Sequence, residues 1–278
     1  MNKLTIKKGM KKYEFGIHNI KYILGNNIEN KYEFIQIIKE VMWNIKDTEY
    51  ALNNIGHAEM LLNDKAINYK TMNFFFVNTY YSINNDLKLT SQSIISKYIE
   101  TMISKIDYID TINTINILLE SFSDELDTNI IYPRFITYTP KQFLKILNPL
   151  FLKNNDQANE YDLSYNDIIL LQLKMINYIS CNQDNKILCL IDIPKLTKEI
   201  NDYIQTMKQC YIIISTLLYD TDLFMDDIYL IDHHIDLHND EELYNFFVDR
   251  GICTLQEAKE QMDNIIKNKL DFTSITNK

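Results

Sequence analysis

The chain has 278 residues, of which 46% are hydrophobic and 24% charged, a composition that excludes a disordered chain. Its formal net charge of -10 excludes a uniformly basic nucleic-acid-binding protein, so any phosphate contacts must come from a local patch of cations. No apolar run reaches the roughly 18 residues of a membrane span, and the four cysteines form no CxxC pair. We therefore expect a cytoplasmic protein with free thiols and no membrane contact.

The first residues have the pattern of a β-meander followed by a helix. Leu4–Lys7 and Tyr13–Ile17 alternate around a turn at Gly9, and Tyr22–Leu24 is a third short strand. From Lys31 to Ile45 the apolar residues recur with the 3.6-residue period of a helix that buries one face. A second hairpin is predicted around Asn63-Asp64-Lys65, and a buried strand at Phe74–Val77.

The middle of the chain has helical periodicity and is predicted to be a helical insertion. The expected elements are helices at Ile94–Ile106, Thr111–Leu126 and Tyr165–Ile179, a short helix at Phe143–Leu152 broken by Pro149, a turn or short strand pair at Asn129–Thr139, and a polar loop at Lys153–Glu160.

Strand patterns then return. The expected elements are strands at Ile187–Ile191, Tyr211–Ser215 and Ile228–Ile231, and helices at Lys195–Gln209 and near Leu255–Leu270. A strand, a helix and a strand at this spacing form a parallel crossover, so the fold class is predicted to be α/β.

A degenerate phosphate-binding loop follows the third strand. A P-loop has the form GxxxxGK[ST] between a strand and a helix. Gly25 and Lys31 are correctly spaced for it, whereas Asn30 replaces the second glycine and Tyr32 replaces the hydroxyl residue. Asn tolerates the left-handed conformation, so a loop of similar shape is expected, but Tyr cannot place a hydroxyl on Mg²⁺ from this position. A chance match of Gly25 and Lys31 is the alternative.

The apolar run at Ile187–Ile191 ends in Asp192, like the Walker B strand of an ATPase. Ile193 stands where a catalytic Glu would follow, and no LSGGQ-like segment is present. We interpret the chain as the scaffold of a P-loop ATPase whose chemistry has been lost, and expect neither hydrolysis nor a bound nucleotide. The alternative is an active nucleotide hydrolase of the ABC or SMC type that acts on DNA.

Three further segments carry a resemblance to a known family. They are Tyr161-Asp-Leu-Ser-Tyr165-Asn-Asp-Ile168, Asn185-Lys-Ile-Leu-Cys-Leu-Ile191 and Gln209-Cys-Tyr-Ile-Ile-Ile214. Together with the meander, the degenerate loop and the helical block, residues 1–235 resemble the Csn-two family, the accessory adaptation protein of type II-A CRISPR systems. The shared features are apolar strand patterns rather than catalytic residues.

The resemblance implies an α/β head like a degenerate P-loop ATPase, with an inserted α-helical leg. The head would comprise residues 1–88 and 181–238, and the leg residues 89–180. Residues 239–278 lie beyond the part that the resemblance covers and are predicted to be a C-terminal helical extension. The resemblance also implies a homotetrameric ring that holds linear double-stranded DNA, is stabilised by Ca²⁺, and works with the Cas one–Cas two integrase and the Cas nine nuclease during spacer acquisition. Members of the family are not enzymes.

Several groups of lysines could contact DNA phosphates, because binding without sequence preference rests mainly on charge neutralisation. The candidates are Lys7, Lys8, Lys11 and Lys12 around the first turn, Lys97 and Lys105 at helical spacing, and Lys141 and Lys145. A solvated hairpin tip in a lysine-rich chain is the alternative for the first group.

Two clusters could hold a metal ion. Glu120, Asp124 and Asp127 are spaced i, i+4 and i+7 on one helix face, and hard Ca²⁺ takes carboxylate oxygens. A solvated acidic helix end is the alternative. The segment from Asp232 to His238 holds three histidines, and Asp232 and His234 would share one side of an extended strand. It could belong to a metal-dependent phosphoesterase, or be an exposed polar strand end.

Overall fold

The computed structural model describes residues 1–125, 130, 134–248, 251 and 254–269. The strands are β1 Asn2–Lys8, β2 Lys11–Ile17, β3 Ile20–Leu24, β4 Ala58–Leu62, β5 Lys65–Ala66, β6 Asn73–Asn78, β7 Leu152–Lys153, β8 Asp156–Gln157, β9 Ile187–Leu196, β10 Cys210–Tyr219, β11 Ile228–Leu230 and β12 Ile235–Asp236. The helices are α1 Ile28–Met42, α2 Glu49–Asn54, α3 Ile83–Asp86, α4 Ile94–Ile103, α5 Ile106–Glu125, α6 Pro140–Leu144, α7 Tyr165–Cys181, α8 Lys198–Thr206, α9 Asp240–Val248 and α10 Leu255–Lys267. None of the described helices has the length and apolarity to cross a membrane.

The chain forms two compact units and is mixed α/β. The first contains Met1–Thr79 and the described part of Asp184–Lys278, so α9 and α10 belong to it. The second contains the described part of Tyr80–Gln183.

A six-stranded sheet organises the first unit, with the strand order β12-β11-β3-β10-β9-β6. Five of these strands are parallel, and β12 pairs with β11 antiparallel. The central strands are buried along most of their length, which explains why they read as continuous apolar runs in the sequence. The parallel pairs confirm the α/β fold class.

A four-stranded antiparallel sheet, in the order β2-β1-β4-β5, completes the first unit. One core cluster contains Ile6 and Phe15 from this sheet, Phe34 from α1, and Leu190 and Ile213 from the six-stranded sheet. The opposite face of the larger sheet carries α8. Tyr22, on β3, donates a hydrogen bond from its hydroxyl to the Asn201 side chain of α8 (2.6 Å).

Helices dominate the second unit. Its longest well-buried helix is α7, which starts with a capping box in which Ser164 and Asp167 satisfy each other's backbone N–H groups. Tyr98 of α4 packs edge-on against Tyr178 of α7, with ring centroids 4.9 Å apart.

Several predicted elements of the second unit are wrong in extent. The helix expected at Ile94–Ile106 ends at Ile103, and α5 begins three residues later. The helix expected at Phe143–Leu152 is replaced by α6, which stops at Leu144. Pro149 disfavours helical backbone in the residue before it, so a helix could not run on to Leu152. The expected loop at Lys153–Glu160 contains the hairpin of β7 and β8.

The prediction for Asn129–Thr139 falls partly on residues outside the described ranges, and its described part, residues 130 and 134–139, has no regular structure.

Strand β9 continues beyond its predicted end at Ile191 and passes through Pro194. Its pairing with β6 ends at Asp192, whereas its pairing with β10 continues to Leu196. Pro194 therefore lies beyond the end of β6, where its missing N–H costs no ladder bond on that side. The predicted helix start at Lys195 is wrong for this reason, and α8 begins at Lys198 after a Thr197 cap.

Candidate functional site

The segment that the sequence predicts to be a degenerate P-loop is a tight connection between β3 and α1. Gly25 has φ of +135°, a conformation that side chains disfavour. A Cβ added at Gly25 would lie 2.7 Å from the carboxyl carbon of Asp232, so the close approach also requires glycine. The first glycine of the motif is therefore explained by geometry.

The loop is shorter than a nucleotide-binding P-loop. Helix α1 already begins at Ile28, and the Asn27 side chain caps it by accepting a hydrogen bond from the Asn30 N–H (2.9 Å). Asn30 is thus helical, and the expectation that it would preserve a P-loop-like turn is wrong.

The carboxylate of Asp232 lies on the backbone N–H groups of the loop. Asn26 N–H donates to Oδ2 at 2.7 Å, and Asn27 N–H donates to Oδ1 at 2.9 Å. The N-terminus of a helix attracts anions because its backbone N–H groups are unpaired and the helix dipole is positive there. A protein side chain therefore takes the position of an anion at this loop.

Lys31, the motif lysine, is directed into the protein. Its side chain is only 5% exposed, and Nζ donates to the backbone oxygen of Thr216 on β10 at 2.5 Å. Burial lowers the pKa of Lys31 to about 8, although the carboxylates of Asp232 and Asp192 oppose that shift.

Asp192, the acid of the Walker-B-like pattern, lies on β9. Burial raises the pKa of Asp192, against the opposing effect of Lys39, the Ser215 hydrogen bond and Lys31. The next residue, Ile193, is buried in the core, and Tyr32 is 63% exposed on α1. Ile193 has no side-chain group that could act as a general base, and the Tyr32 side chain lies on the surface of α1.

The four lysines at the first turn are all paired with carboxylates. Lys7 lies 3.0 Å from Glu59, Lys8 2.6 Å from Glu40 and Lys12 2.5 Å from Glu14. Lys11 pairs with Glu33. A phosphate would have to displace these partners, which favours the solvated, charge-balanced hairpin tip. Their role in DNA binding stays a prediction.

The candidate lysines of the second unit differ in their surroundings. Lys97 pairs with Glu100 at 3.0 Å, and the Lys105 Nζ lies 4.9 Å from the centre of the Tyr178 ring. Lys105 sits in the connection between α4 and α5, so it does not share a helix with Lys97 as expected. Lys141 and Lys145 are exposed at the two ends of α6 and have no ion-pair partner among the described residues.

The predicted calcium ligands are brought together only in part. Glu120 and Asp124 are exposed on one face of α5, whereas Asp127 lies outside the described residues. Within the described ranges, no group of three or more His, Cys, Asp or Glu side chains is arranged to hold a metal ion. The calcium site stays a prediction.

The histidine-rich segment forms a tight turn rather than an extended strand. His234 has φ of +55° and stacks on Tyr13 with ring centroids 5.3 Å apart. The His238 Nδ1 lies 3.8 Å from a carboxylate oxygen of Asp226. Asp232 and His234 therefore do not converge on a shared ligand, and the described geometry does not favour a phosphoesterase site.

A buried ion pair near this turn was missed by the sequence interpretation. Lys21, on β3, has a fully buried side chain whose Nζ lies 2.5 Å from Asp236 Oδ1 and 2.9 Å from the backbone oxygen of Asp226. The other oxygen of Asp236 accepts a hydrogen bond from Gly16 N–H at 2.7 Å. Burial lowers the pKa of Lys21, and Asp236 opposes this. A charged residue inside the apolar run Ile20–Leu24 was the available signal.

The fold of this chain is shared with a solved protein structure. No protein-family model and no curated protein sequence matches the chain. The crystal structure of Stu0660 of Streptococcus thermophilus matches with a TM-score of 0.62 and 16% identity, over 87% of this chain and 78% of that one. At this identity the likeness establishes a shared fold.

The fold belongs to the mixed α/β class, and its six-stranded sheet is largely parallel. Stu0660 is a Csn-two protein of a type II-A CRISPR locus. The structural comparison thus confirms the resemblance that the sequence indicated.

Proposed function

We propose that the chain is a non-catalytic, ring-forming protein that binds the ends of linear double-stranded DNA during spacer acquisition in a type II-A CRISPR system. The observation that carries this proposal is the fold shared with Stu0660 over 87% of the chain. By the same resemblance, its partners are the Cas one–Cas two integrase and the Cas nine nuclease, and its location is the cytoplasm.

The state of the P-loop-like site supports a role without catalysis. We infer that the first unit is a degenerate P-loop-ATPase-like head, because one strand, β10, separates the strand of the loop from the strand of Asp192, as in ABC-type ATPases. The loop is shortened, and Lys31 points to a backbone carbonyl rather than to open space. An active ABC-type or SMC-type hydrolase is therefore disfavoured.

Self-association is supported by the surface of the second unit, which we infer to be the helical leg. Helix α5 exposes several large apolar side chains, among them Ile106, Ile117, Leu118 and Phe122. Large apolar side chains that are exposed close together are commonly covered by another surface. A homotetramer would cover it and would gather the cations of four copies around one DNA duplex.

We expect the protein to bind linear duplex DNA without sequence preference and to release it as salt is raised. Each lost phosphate contact should lower the slope of log K against log salt by about 0.9. Lys141 and Lys145 are the strongest candidates because their charges are not balanced by a described carboxylate. The Lys141→Ala/Lys145→Ala variant should therefore reduce the slope by roughly 1.8 per chain that contacts the duplex.

Mobility-shift titrations with linear and relaxed closed-circular DNA at several salt concentrations provide the measurement. The matched control is Lys198→Ala, which removes an exposed cation already paired with Asp202 at 2.8 Å. Equal affinity for closed circles would contradict threading through a ring. ATP turnover that is lost in Lys31→Ala would instead support the hydrolase.

We further predict that Ca²⁺ strengthens the assembly through Glu120, Asp124 and Asp127. A tetramer multiplies the net charge of -10 of each chain, and divalent cations that bridge carboxylates offset this repulsion at short range. In sedimentation velocity, the Glu120→Ala/Asp124→Ala variant should lose most of the calcium-dependent tetramer. Asp107→Ala/Asp110→Ala, at the other end of α5, is the matched control. An identical oligomer with calcium and with chelator would refute the assignment.

A further inference from the structure

A groove lies where three parallel strands of the six-stranded sheet begin, and its volume is about 360 Å³. Strands β3, β10 and β9 are neighbours in this sheet, and their amino ends lie along one edge because they are parallel. The residues that precede the three strands therefore converge, although they are far apart in the sequence. They are His18 and Asn19 before β3, Lys186 before β9, and Lys208 and Gln209 before β10.

Backbone hydrogen bonds tie two of these connections to the sheet. The Asn19 backbone oxygen accepts from an N–H of β10 at 2.7 Å, and the Lys186 backbone oxygen accepts from Asn73 N–H of β6 at 2.9 Å. The Asn2 side chain donates to the Tyr211 hydroxyl at 3.0 Å, and both of these residues also line the groove. The main chain of the groove is thus held without any contribution from the lysine side chains.

The two lysines of the groove are exposed cations. Lys186 and Lys208 have no ion-pair partner among the residues that the structure describes, and no Asp or Glu is found among the described residues that line the groove. His18 differs from them, because it lies close enough to Asp227 to interact with its charge. The unbalanced positive charge of the groove therefore comes from the two lysines.

The side chains of the groove suit a phosphate group. On a chain with a net charge of -10, two ammonium groups with no carboxylate beside them create a local positive potential. Lysine binds phosphate as a point charge and does not require one fixed geometry. The side-chain amides of Asn19 and Gln209 line the same groove and can donate hydrogen bonds to phosphate oxygens. Groups of this kind position a nucleic-acid backbone and do not read its bases.

We propose that this groove is a contact site for DNA phosphates, in which Lys186 and Lys208 bind the backbone of the duplex. The inference rests on the proposed function and deepens it, because it assigns DNA contacts to two lysines that the sequence interpretation did not single out. Neither a helical nor a strand period relates these two positions. Only the order of β9 and β10 in the sheet brings them to one groove.

The test measures the affinity for a linear duplex at several salt concentrations, by fluorescence anisotropy, for wild type and Lys186→Ala/Lys208→Ala. Each phosphate contact contributes about 0.9 to the slope of log K against log salt, so the slope should fall by roughly 1.8 per chain that contacts the duplex. At about 0.1 M salt the affinity should fall at least about tenfold. Lys186→Arg/Lys208→Arg retains both charges and should keep the wild-type slope.

The matched control is Lys198→Ala/Lys267→Ala, which removes the same charge from the same unit. These two lysines are already paired, with Asp202 at 2.8 Å and Asp263 at 2.5 Å, so the control should keep the wild-type slope. Circular dichroism checks that every variant is folded. A wild type that does not bind DNA would overturn the proposed function together with this inference. If wild type binds, an unchanged slope in the groove variant, or an equal loss in the control, would overturn this inference alone.

Discussion

Replacing Asp236 with alanine is expected to lower the free energy of unfolding by about 3–5 kcal/mol, the range found when one partner of a buried ion pair is removed. Lys21 would remain inside the protein with a fully buried side chain and only the Asp226 carbonyl as a hydrogen-bond acceptor. The Gly16 N–H would lose its acceptor as well. Urea denaturation at pH 7 measures the loss.

Two further variants separate the buried charge from general damage. Lys21→Met/Asp236→Asn removes both charges and keeps an oxygen for Gly16 N–H, so it should be less destabilised than Asp236→Ala. Asp202→Ala breaks an exposed ion pair on α8 and should cost less than about 1 kcal/mol. A loss in Asp236→Ala no greater than that in Asp202→Ala would show that the buried pair does not stabilise the fold.

The stability of the wild type relative to Lys31→Met should increase by about 3 kcal/mol between pH 7 and pH 10.5. The pKa of Lys31 is about 8 in the folded chain and 10.5 in its unperturbed state. Between these values the unfolded chain binds more protons, so stability from this group rises with pH. The cost of burying the ammonium is fully present below pH 8 and disappears above pH 10.5. Methionine has no such titration.

Urea denaturation of both proteins across this pH range provides the measurement. Other titrating groups are shared by wild type and variant, so the difference between the two curves isolates Lys31. Lys65→Met is the control, because an exposed ammonium is hydrated in the folded and unfolded states alike. A pH-independent difference between wild type and Lys31→Met would mean that burial does not lower the pKa of Lys31.

Much of the fold was predictable because it depends on short-range patterns. The parallel strands β9 and β10 are apolar on both faces, and each therefore appears as a continuous apolar run. The helix boundaries were less predictable. The break between α4 and α5 leaves helical spacing of apolar residues intact on both sides, so periodicity alone could not locate it.

Only the features of the site that depend on neighbouring residues in the sequence were predictable. Gly25 and Lys31 were recognised from spacing, and the loop does connect a strand to a helix as expected. The helical conformation of Asn30 was not foreseen, because an Asn27 cap and a missing glycine together decide where α1 begins. The burial of Lys31 against the Thr216 carbonyl depends on β10, which lies far away in the sequence.

The sequence by itself determined the α/β class and the position of the loop between β3 and α1, since both depend on residue type and local period. Only the tertiary structure decided which carboxylates contact the loop and Lys21. Asp232 lies 206 residues from Asn26, and Asp236 lies 215 residues from Lys21. Parallel pairing of β11 with β3 brings Asp232 to the end of β3. Pairing of β12 with β11 brings Asp236 close to Lys21 on β3. No local pattern encodes such a contact, because strand order is set by how the whole sheet packs.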